Sequence, residues 1–166
     1  MNEGMRRQLP PAPLETASWE DVPESLRKII EHGWVIDETG AYLLQMMAHG
    51  YHGSRSSFAD LTGYESSVNG LGIPDWDIPL SGDTNGQLLR RSVSYAYFAL
   101  RAARQIEGSN ALHAIVSTSE ALLGESRLTA HVTFVLNRTS ELALVDDVEF
   151  RQNECLLTFS MEDVNS

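Results

Sequence analysis

The most regular pattern along the chain is a helical spacing of apolar side chains over about residues 87–107. The side chains with this spacing are Leu89, Val93, Ala96, Leu100 and Ala103. Because they recur every three or four residues, they share one face of an α-helix. The opposite face carries Arg90, Ser94, Tyr97, Arg101 and Arg104. The pattern predicts a long amphipathic helix with an apolar face for the core and an arginine-bearing face.

Two shorter helices are predicted upstream of it. The first has the helical set Val22, Leu26, Ile29 and Ile30. Pro23 suits its first turn and Gly33 its end. Residues 34–36 follow as a short extended piece. A second helix is predicted from about residue 39 to residue 49, and its buried side chains would be Tyr42, Leu43, Met46 and Met47.

Beyond Asn110 the period of the apolar positions changes to two, which is typical of strands. The clearest strand covers residues 128–137, with Leu128, Ala130, Val132, Phe134 and Leu136 on its inner face. Further strands are predicted at residues 112–116, 144–150 and 154–161. Helices followed by an antiparallel meander of about four strands predict an α+β fold, with the 87–107 helix packed on the sheet.

The chain divides into an arm and one domain. Residues 1–17 contain three prolines, Pro10, Pro11 and Pro13, and no apolar period, which predicts a flexible N-terminal arm, either disordered or laid along the surface. Residues 18–166 are expected to form a single α+β domain. Within it, residues 50–86 are rich in glycine and proline and predict a long loop, with short helical or extended pieces in it. Loops of this length are often functional.

The order of these elements resembles that of the cone-shaped folds related to nuclear transport factor 2, in which a helix plugs a curved sheet. No residue motif carries the resemblance, so it assigns no active-site residues. It is compatible with a small enzyme or ligand-binding domain whose pocket lies between the long helix and the sheet. The polar groups available for such a pocket are Tyr95 or Tyr97, His113, His131 and Asp146.

Charge narrows the classes of partner. The 166 residues include 23 acidic and 12 basic side chains, for a net charge of −11. An acidic protein repels the phosphate backbone, so we expect no nucleic-acid partner.

No apolar run approaches the length of a membrane span, and the first residues lack the apolar stretch of a signal peptide, so we expect a cytoplasmic protein without membrane contact. With acids in excess, pairing within the chain is favoured over an anionic ligand for the arginines of the long helix.

Catalytic and metal motifs are weak. The chain has neither a Gly-x-Ser-x-Gly elbow nor a phosphate-binding glycine loop. His49 and His52 have a spacing that could share a metal, but glycines follow both of them and no third ligand has a defined offset. Cys155, the one cysteine, alternates with Leu157 and Phe159, which predicts a structural thiol. We therefore expect no cofactor and no bound metal, and we favour a protein that is not an enzyme.

The candidate partner-binding residues are acidic, with one aromatic. In the sequence Asp75-Trp76-Asp77, a tryptophan between two acids on a glycine- and proline-rich loop resembles an interface anchor with a charged rim. The alternative is that the tryptophan folds back onto the core. Asp83 lies in the same loop. A second acidic group comprises Asp146, Asp147 and Glu149, which could meet a basic partner or keep a strand edge solvated.

Size, charge and the absence of catalytic motifs together favour a non-enzymatic acidic binding protein for a basic protein partner. In these bulk properties the chain resembles the immunity proteins that neutralise bacterial toxins, whose partners are often basic. The small enzyme or ligand-binding domain described above is the alternative.

Overall fold

A computed structural model describes residues 1–80, 82–120, 127–138 and 155–164. The helices are α1 (Glu3–Arg6), α2 (Glu24–His32), α3 (Gln45–Gly50), α4 (Leu61–Val68) and α5 (Thr84–Ala102). The strands are β1 (Trp34–Ile36), β2 (Tyr42–Leu44), β3 (Leu71–Gly72), β4 (Leu112–Glu120), β5 (Leu128–Leu136) and β6 (Cys155–Ser160). The predicted α+β class is confirmed. None of the helices in these ranges is long and apolar enough to cross a membrane.

The main sheet has four antiparallel strands in the order β3-β5-β4-β6. Its centre is the β4–β5 pair, in register from Leu112 opposite Leu136 to Glu120 opposite Leu128. β6 lies on the far side of β4, and β3 lies on the far side of β5. β3 comes from the segment predicted as a loop, and the strand predicted at residues 144–150 lies outside the described residues.

The long helix packs on this sheet as predicted. All five side chains of its predicted apolar face are at most 3% exposed. The helix begins earlier than the pattern indicated, because the carboxylate of Asp83 accepts a hydrogen bond from the Gly86 amide (2.9 Å). It ends as a 3-10 turn, Ala103–Gln105. Ser94, predicted on the polar face, is buried and accepts a hydrogen bond from the Ser18 amide (3.1 Å).

Residues 1–17, predicted as a flexible arm, pack against the domain. They cover the side of α5 that carries Ser94. α1 contacts β6, and the 3-10 turn Pro13–Thr16 contacts α5. Met5 is fully buried in the main core. Asn2 pairs with the backbone of Leu156: its amide donates to the carbonyl (2.9 Å) and its side-chain oxygen accepts from the amide (3.0 Å). A single buried methionine produces no apolar period, so no element was predicted here.

The helix predicted at residues 39–49 is wrong in its first half. β2 pairs with β1, and α3 begins only after it. The turn between the two strands explains the difference, because the Asp37 carboxylate accepts hydrogen bonds from the amides of Thr39 (2.8 Å) and Ala41 (3.0 Å). Gly40 has a φ of +84°, which few other residues adopt. The hairpin therefore competes successfully with a helix.

The segment predicted as a loop over residues 50–86 contains α4. Asp60 begins this helix by accepting a hydrogen bond from the Gly63 amide (2.7 Å). α4 covers one end of the outer face of β5, where Thr133 and Val135 are buried. The Thr133 hydroxyl donates to the Ser66 carbonyl (2.7 Å). β5 is therefore buried on both faces at this end, and not on one face as its alternation predicted.

A buried carboxylate on α4 joins the hairpin to the main sheet. The side chain of Glu65 is fully buried. One oxygen accepts from the Tyr42 amide (2.7 Å), and the other accepts from the Leu136 amide (2.8 Å). The guanidinium of Arg138 donates to both oxygens, at 2.6 and 2.8 Å. Glu65 therefore connects β2, β5 and the segment after β5 through one charged group.

A buried amide one turn later completes this connection. The side-chain oxygen of Asn69 accepts from the Leu44 amide (2.9 Å). Its nitrogen donates to the carbonyls of Tyr42 (2.9 Å) and Phe134 (3.0 Å). Backbone groups of β2 that have no partner in β1 are satisfied in this way.

Candidate protein-binding surface

The segment between β3 and α5, residues 73–80, presents two apolar side chains to solvent, and we call it the Trp76 loop. Trp76 is 82% exposed and Leu80 is 77% exposed. They are the two most exposed large apolar side chains among the described residues. Exposed tryptophan is uncommon unless it is used for binding. The alternative that Trp76 folds onto the core does not describe this structure.

Both ends of the turn that carries Trp76 are held in the core. Ile73 and Ile78 are buried in the main core cluster. The Ile73 amide donates to the Ala130 carbonyl of β5 (2.8 Å). The Ile78 amide donates to the Asp75 carbonyl (3.0 Å) and closes the turn. Trp76 is therefore at the apex of a short, closed turn.

Arg91 of α5 binds the backbone and a side chain of this turn. Its guanidinium donates to both carboxylate oxygens of Asp77, at 2.7 and 2.8 Å, and also to the Pro74 carbonyl. The Arg91 side chain is only 12% exposed. Its hydrogen bonds lower the pKa of Asp77, so this carboxyl group stays ionised to more acidic pH than an unpaired aspartate.

Asp75 is paired as well. Its carboxylate accepts a hydrogen bond from the guanidinium of Arg127 (2.8 Å), the residue before β5, and both side chains are about one-third exposed. The two acids predicted as a charged rim around Trp76 are thus each neutralised by an arginine. These arginines are distant in sequence, and no local pattern indicates them.

The other candidate acids are not part of the Trp76 loop. Asp83 begins α5, and its carboxylate is 3.6 Å from Arg90. The Thr84 hydroxyl donates to the Pro79 carbonyl (2.9 Å) and connects this helix start to the loop. The predicted acidic group Asp146, Asp147 and Glu149 lies outside the described residues.

The arginines of the α5 polar face have different partners. Among the residues described, Arg90 is the one of the three with an acid within ion-pair distance, Asp83. The guanidinium of Arg101 lies over the Tyr97 ring, 5.5 Å from its centroid. Arg104 donates to the Val164 carbonyl (2.9 Å). Pairing within the chain therefore describes this face, although only one of these contacts is an ion pair.

Those polar groups proposed for a pocket between helix and sheet that lie in the described part of the chain are not brought together. Tyr95 packs edge-on against Phe134 on the inner face of the sheet, with 5.9 Å between ring centroids. His113 and His131 alternate with inner-face residues, so they lie on the outer face. His131 is partly covered by the protein, and this burial lowers its pKa. Asp146 lies outside the described residues.

A cleft of about 610 Å³ does exist at the beginning of α5. It lies between the N-terminal segment, the first turns of α5 and the adjoining ends of β4 and β5. Its lining includes Gln8, Leu9, Asp83, Leu89, Glu120 and Leu128. Of the proposed pocket groups that the structure describes, none lines this cleft.

His49, His52 and Cys155 form no metal cluster with one another or with other residues that the structure describes. His49 and His52 are both exposed, and α3 ends between them. Among the residues that the structure describes, no group of three or more acidic, histidine or cysteine side chains could hold a metal ion. Cys155 is half-buried, and its sulfur accepts a hydrogen bond from the Gln8 side chain (3.3 Å).

Tyr95 gives the first testable prediction. Its hydroxyl is fully buried without a hydrogen-bond partner among the described residues, and burial raises its pKa. An unpaired buried hydroxyl opposes folding, so Tyr95→Phe should raise the free energy of unfolding by about 1 kcal/mol or leave it unchanged. Urea unfolding measures this. A loss of more than about 1 kcal/mol would show that the hydroxyl makes a stabilising bond.

Comparison with known proteins returns no match: no family model, no curated protein and no solved structure is significantly similar to the chain. The Trp76 loop and the charge of the chain are the features on which a function can be proposed.

Proposed function

We propose that the protein is a non-enzymatic binding protein for a basic protein partner, with Trp76 as the anchor of the interface. Its closest functional class would be the immunity proteins that neutralise bacterial toxins. The observation that carries this proposal is the 82% exposure of Trp76 on a turn fixed at both ends. Tryptophan is enriched among the few residues that contribute most of the energy of an interface.

Charge and apolar contact have separate roles in this proposal. Because Asp75 and Asp77 are paired with arginines, the surroundings of Trp76 are close to neutral. Preference for a basic partner therefore comes from the net charge of −11. Such a field accelerates encounter, while a buried anchor slows dissociation. Trp76 and Leu80 would provide the slow dissociation.

Trp76→Ala tests the anchor. The wild-type protein, Trp76→Ala and the control Met46→Ala are immobilised and exposed to a lysate of the cells that encode the chain. Met46 is the matched control because it is also an exposed apolar residue, in α3. We expect one basic protein to be retained by the wild type and by Met46→Ala. Its affinity for Trp76→Ala should be at least about 30-fold weaker, mainly through faster dissociation.

The association rate of the same pair tests the contribution of charge. It should fall steeply between low and physiological salt, because the Debye length shortens to about 8 Å. Dissociation should change little over the same range. A basic partner retained equally by Trp76→Ala would contradict the anchor, and an association rate independent of salt would contradict steering by charge.

The cleft at the beginning of α5 favours a second candidate function, the binding of a small ligand. Its volume of about 610 Å³ is within the range of ligand sites. A small molecule bound there would raise the melting temperature of the free protein. Glu120→Trp, a change at an exposed residue of the lining that narrows the cleft, would abolish that shift and leave partner binding through Trp76 intact.

A further inference from the structure

We infer that Arg91 and Arg127 are positioning residues for Trp76: they hold the turn in its binding conformation before any partner arrives. This inference rests on the proposed function and adds how the anchor is prepared. It assigns a role to two arginines that the sequence pattern did not connect with the Trp76 loop.

The geometry supports this role because the residues on both sides of Trp76 are tied to different elements. Arg91 binds the Pro74 carbonyl before Trp76 and the Asp77 carboxylate after it, from α5. Arg127 binds Asp75 from the beginning of β5. Every residue from 74 to 77 except Trp76 itself thus makes a hydrogen bond to one of these two guanidinium groups.

These ion pairs contribute to more than the general stability of the fold. Buried Ile73 and Ile78 already attach the Trp76 loop to the core. What Arg91 and Arg127 add is order in the segment between the two isoleucines, where Trp76 is by far the most exposed side chain. A side chain that is ordered in advance loses less conformational entropy on binding. A planar guanidinium with two parallel bonds to a carboxylate is suited to this task.

The test measures the order of Trp76 in the free, ¹⁵N-labelled protein by NMR relaxation. The indole signals of Trp19, Trp34 and Trp76 are distinguished with Trp76→Phe. In the wild type, the backbone amide of Trp76 should be as rigid as those of α5, with an order parameter of about 0.85. In Arg91→Met it should fall below about 0.6, while the buried Trp34 indole keeps its signal.

Arg90→Met is the matched control, because Arg90 neighbours Arg91 on α5 but pairs with Asp83 outside the turn. It should leave the order of Trp76 unchanged. Asp77→Asn removes the charged acceptor without touching α5 and should loosen Trp76 as Arg91→Met does. If Arg91→Met does not fold, the order of the Trp76 amide in Asp77→Asn tests the inference in its place.

Two results would overturn the inference: a Trp76 amide that is already flexible in the wild type, or one that stays rigid in folded Arg91→Met and Asp77→Asn. Both readouts use the free protein, so they are independent of the proposed function. A partner that binds Trp76→Ala normally would overturn the proposed function even where the loop is rigid. With the partner in hand, Arg91→Met should accelerate dissociation, while Arg90→Met should not.

Discussion

Replacing Glu65 by alanine is expected to lower the free energy of unfolding by about 3–5 kcal/mol, the range for breaking a buried ion pair. The fully buried carboxylate accepts hydrogen bonds from two backbone amides and from both terminal nitrogens of Arg138. Alanine would remove all four acceptor contacts at once. The amides of Tyr42 and Leu136 would lose a partner in a buried site, and the mostly buried Arg138 would lose both of its hydrogen bonds to Glu65.

Glu24→Ala is the matched control, because Glu24 is also a helical glutamate paired with a basic residue, Lys28, at 2.9 Å. That pair is exposed, so its loss should have little effect on stability. Glu65→Gln keeps the shape but places amide hydrogens against donors, so it should also destabilise strongly. Urea unfolding followed by circular dichroism measures all three variants. Equal midpoints for Glu65→Ala and Glu24→Ala would show that Glu65 does not connect the hairpin to the sheet.

The same residue shows why α4 could not be predicted from apolar periodicity. The buried face of α4 consists of Thr62, Glu65, Val68 and the adjoining Asn69, of which only the valine is apolar. A helix that buries polar side chains has the pattern of an exposed segment. The one local signal was Asp60, a suitable N-cap residue three positions before Gly63. The partners that make burial of Glu65 favourable come from distant elements.

Elements with apolar faces were predictable because local spacing and tertiary burial agree in them. α5 and the inner faces of β4 and β5 follow their predicted periods. The run from Tyr42 to Met47 was ambiguous, because a short apolar run fits a strand or a helix. Its first part became a strand through the turn at Asp37 and through acceptors supplied by Glu65 and Asn69. Tertiary hydrogen bonds decided a choice that spacing could not.

In the candidate site, the exposed Trp76 was predictable from the sequence, whereas the arginines that hold its turn were not. A tryptophan in a loop rich in glycine and proline is visible in the sequence, and so are its two acidic neighbours. The sequence suggested that Asp75 and Asp77 face a partner, whereas each faces an arginine of the same chain. Arg91 and Arg127 come from α5 and from the beginning of β5. Only the packing of these elements brings four charges together around one turn.

Leu100→Ala is expected to lower the free energy of unfolding by about 2–5 kcal/mol, the range for a large-to-small change in a core. Leu100 is fully buried on the apolar face of α5, in the cluster that also holds the inner face of the main sheet. The loss combines the transfer free energy of the removed carbons with the cavity left behind. The upper part of the range applies if the helix and sheet cannot close on the cavity.

Arg101→Ala, at the next position of the same helix, is the control. Its guanidinium lies over the Tyr97 ring on the solvent side, a contact that contributes about 0.5–1 kcal/mol at exposed sites. Because alanine has a higher helix propensity than either residue, backbone effects are small and similar in the two variants. The difference between the two losses, measured by urea unfolding under identical conditions, therefore reports burial. Equal losses at residues 100 and 101 would mean that α5 packs on the sheet through a different face.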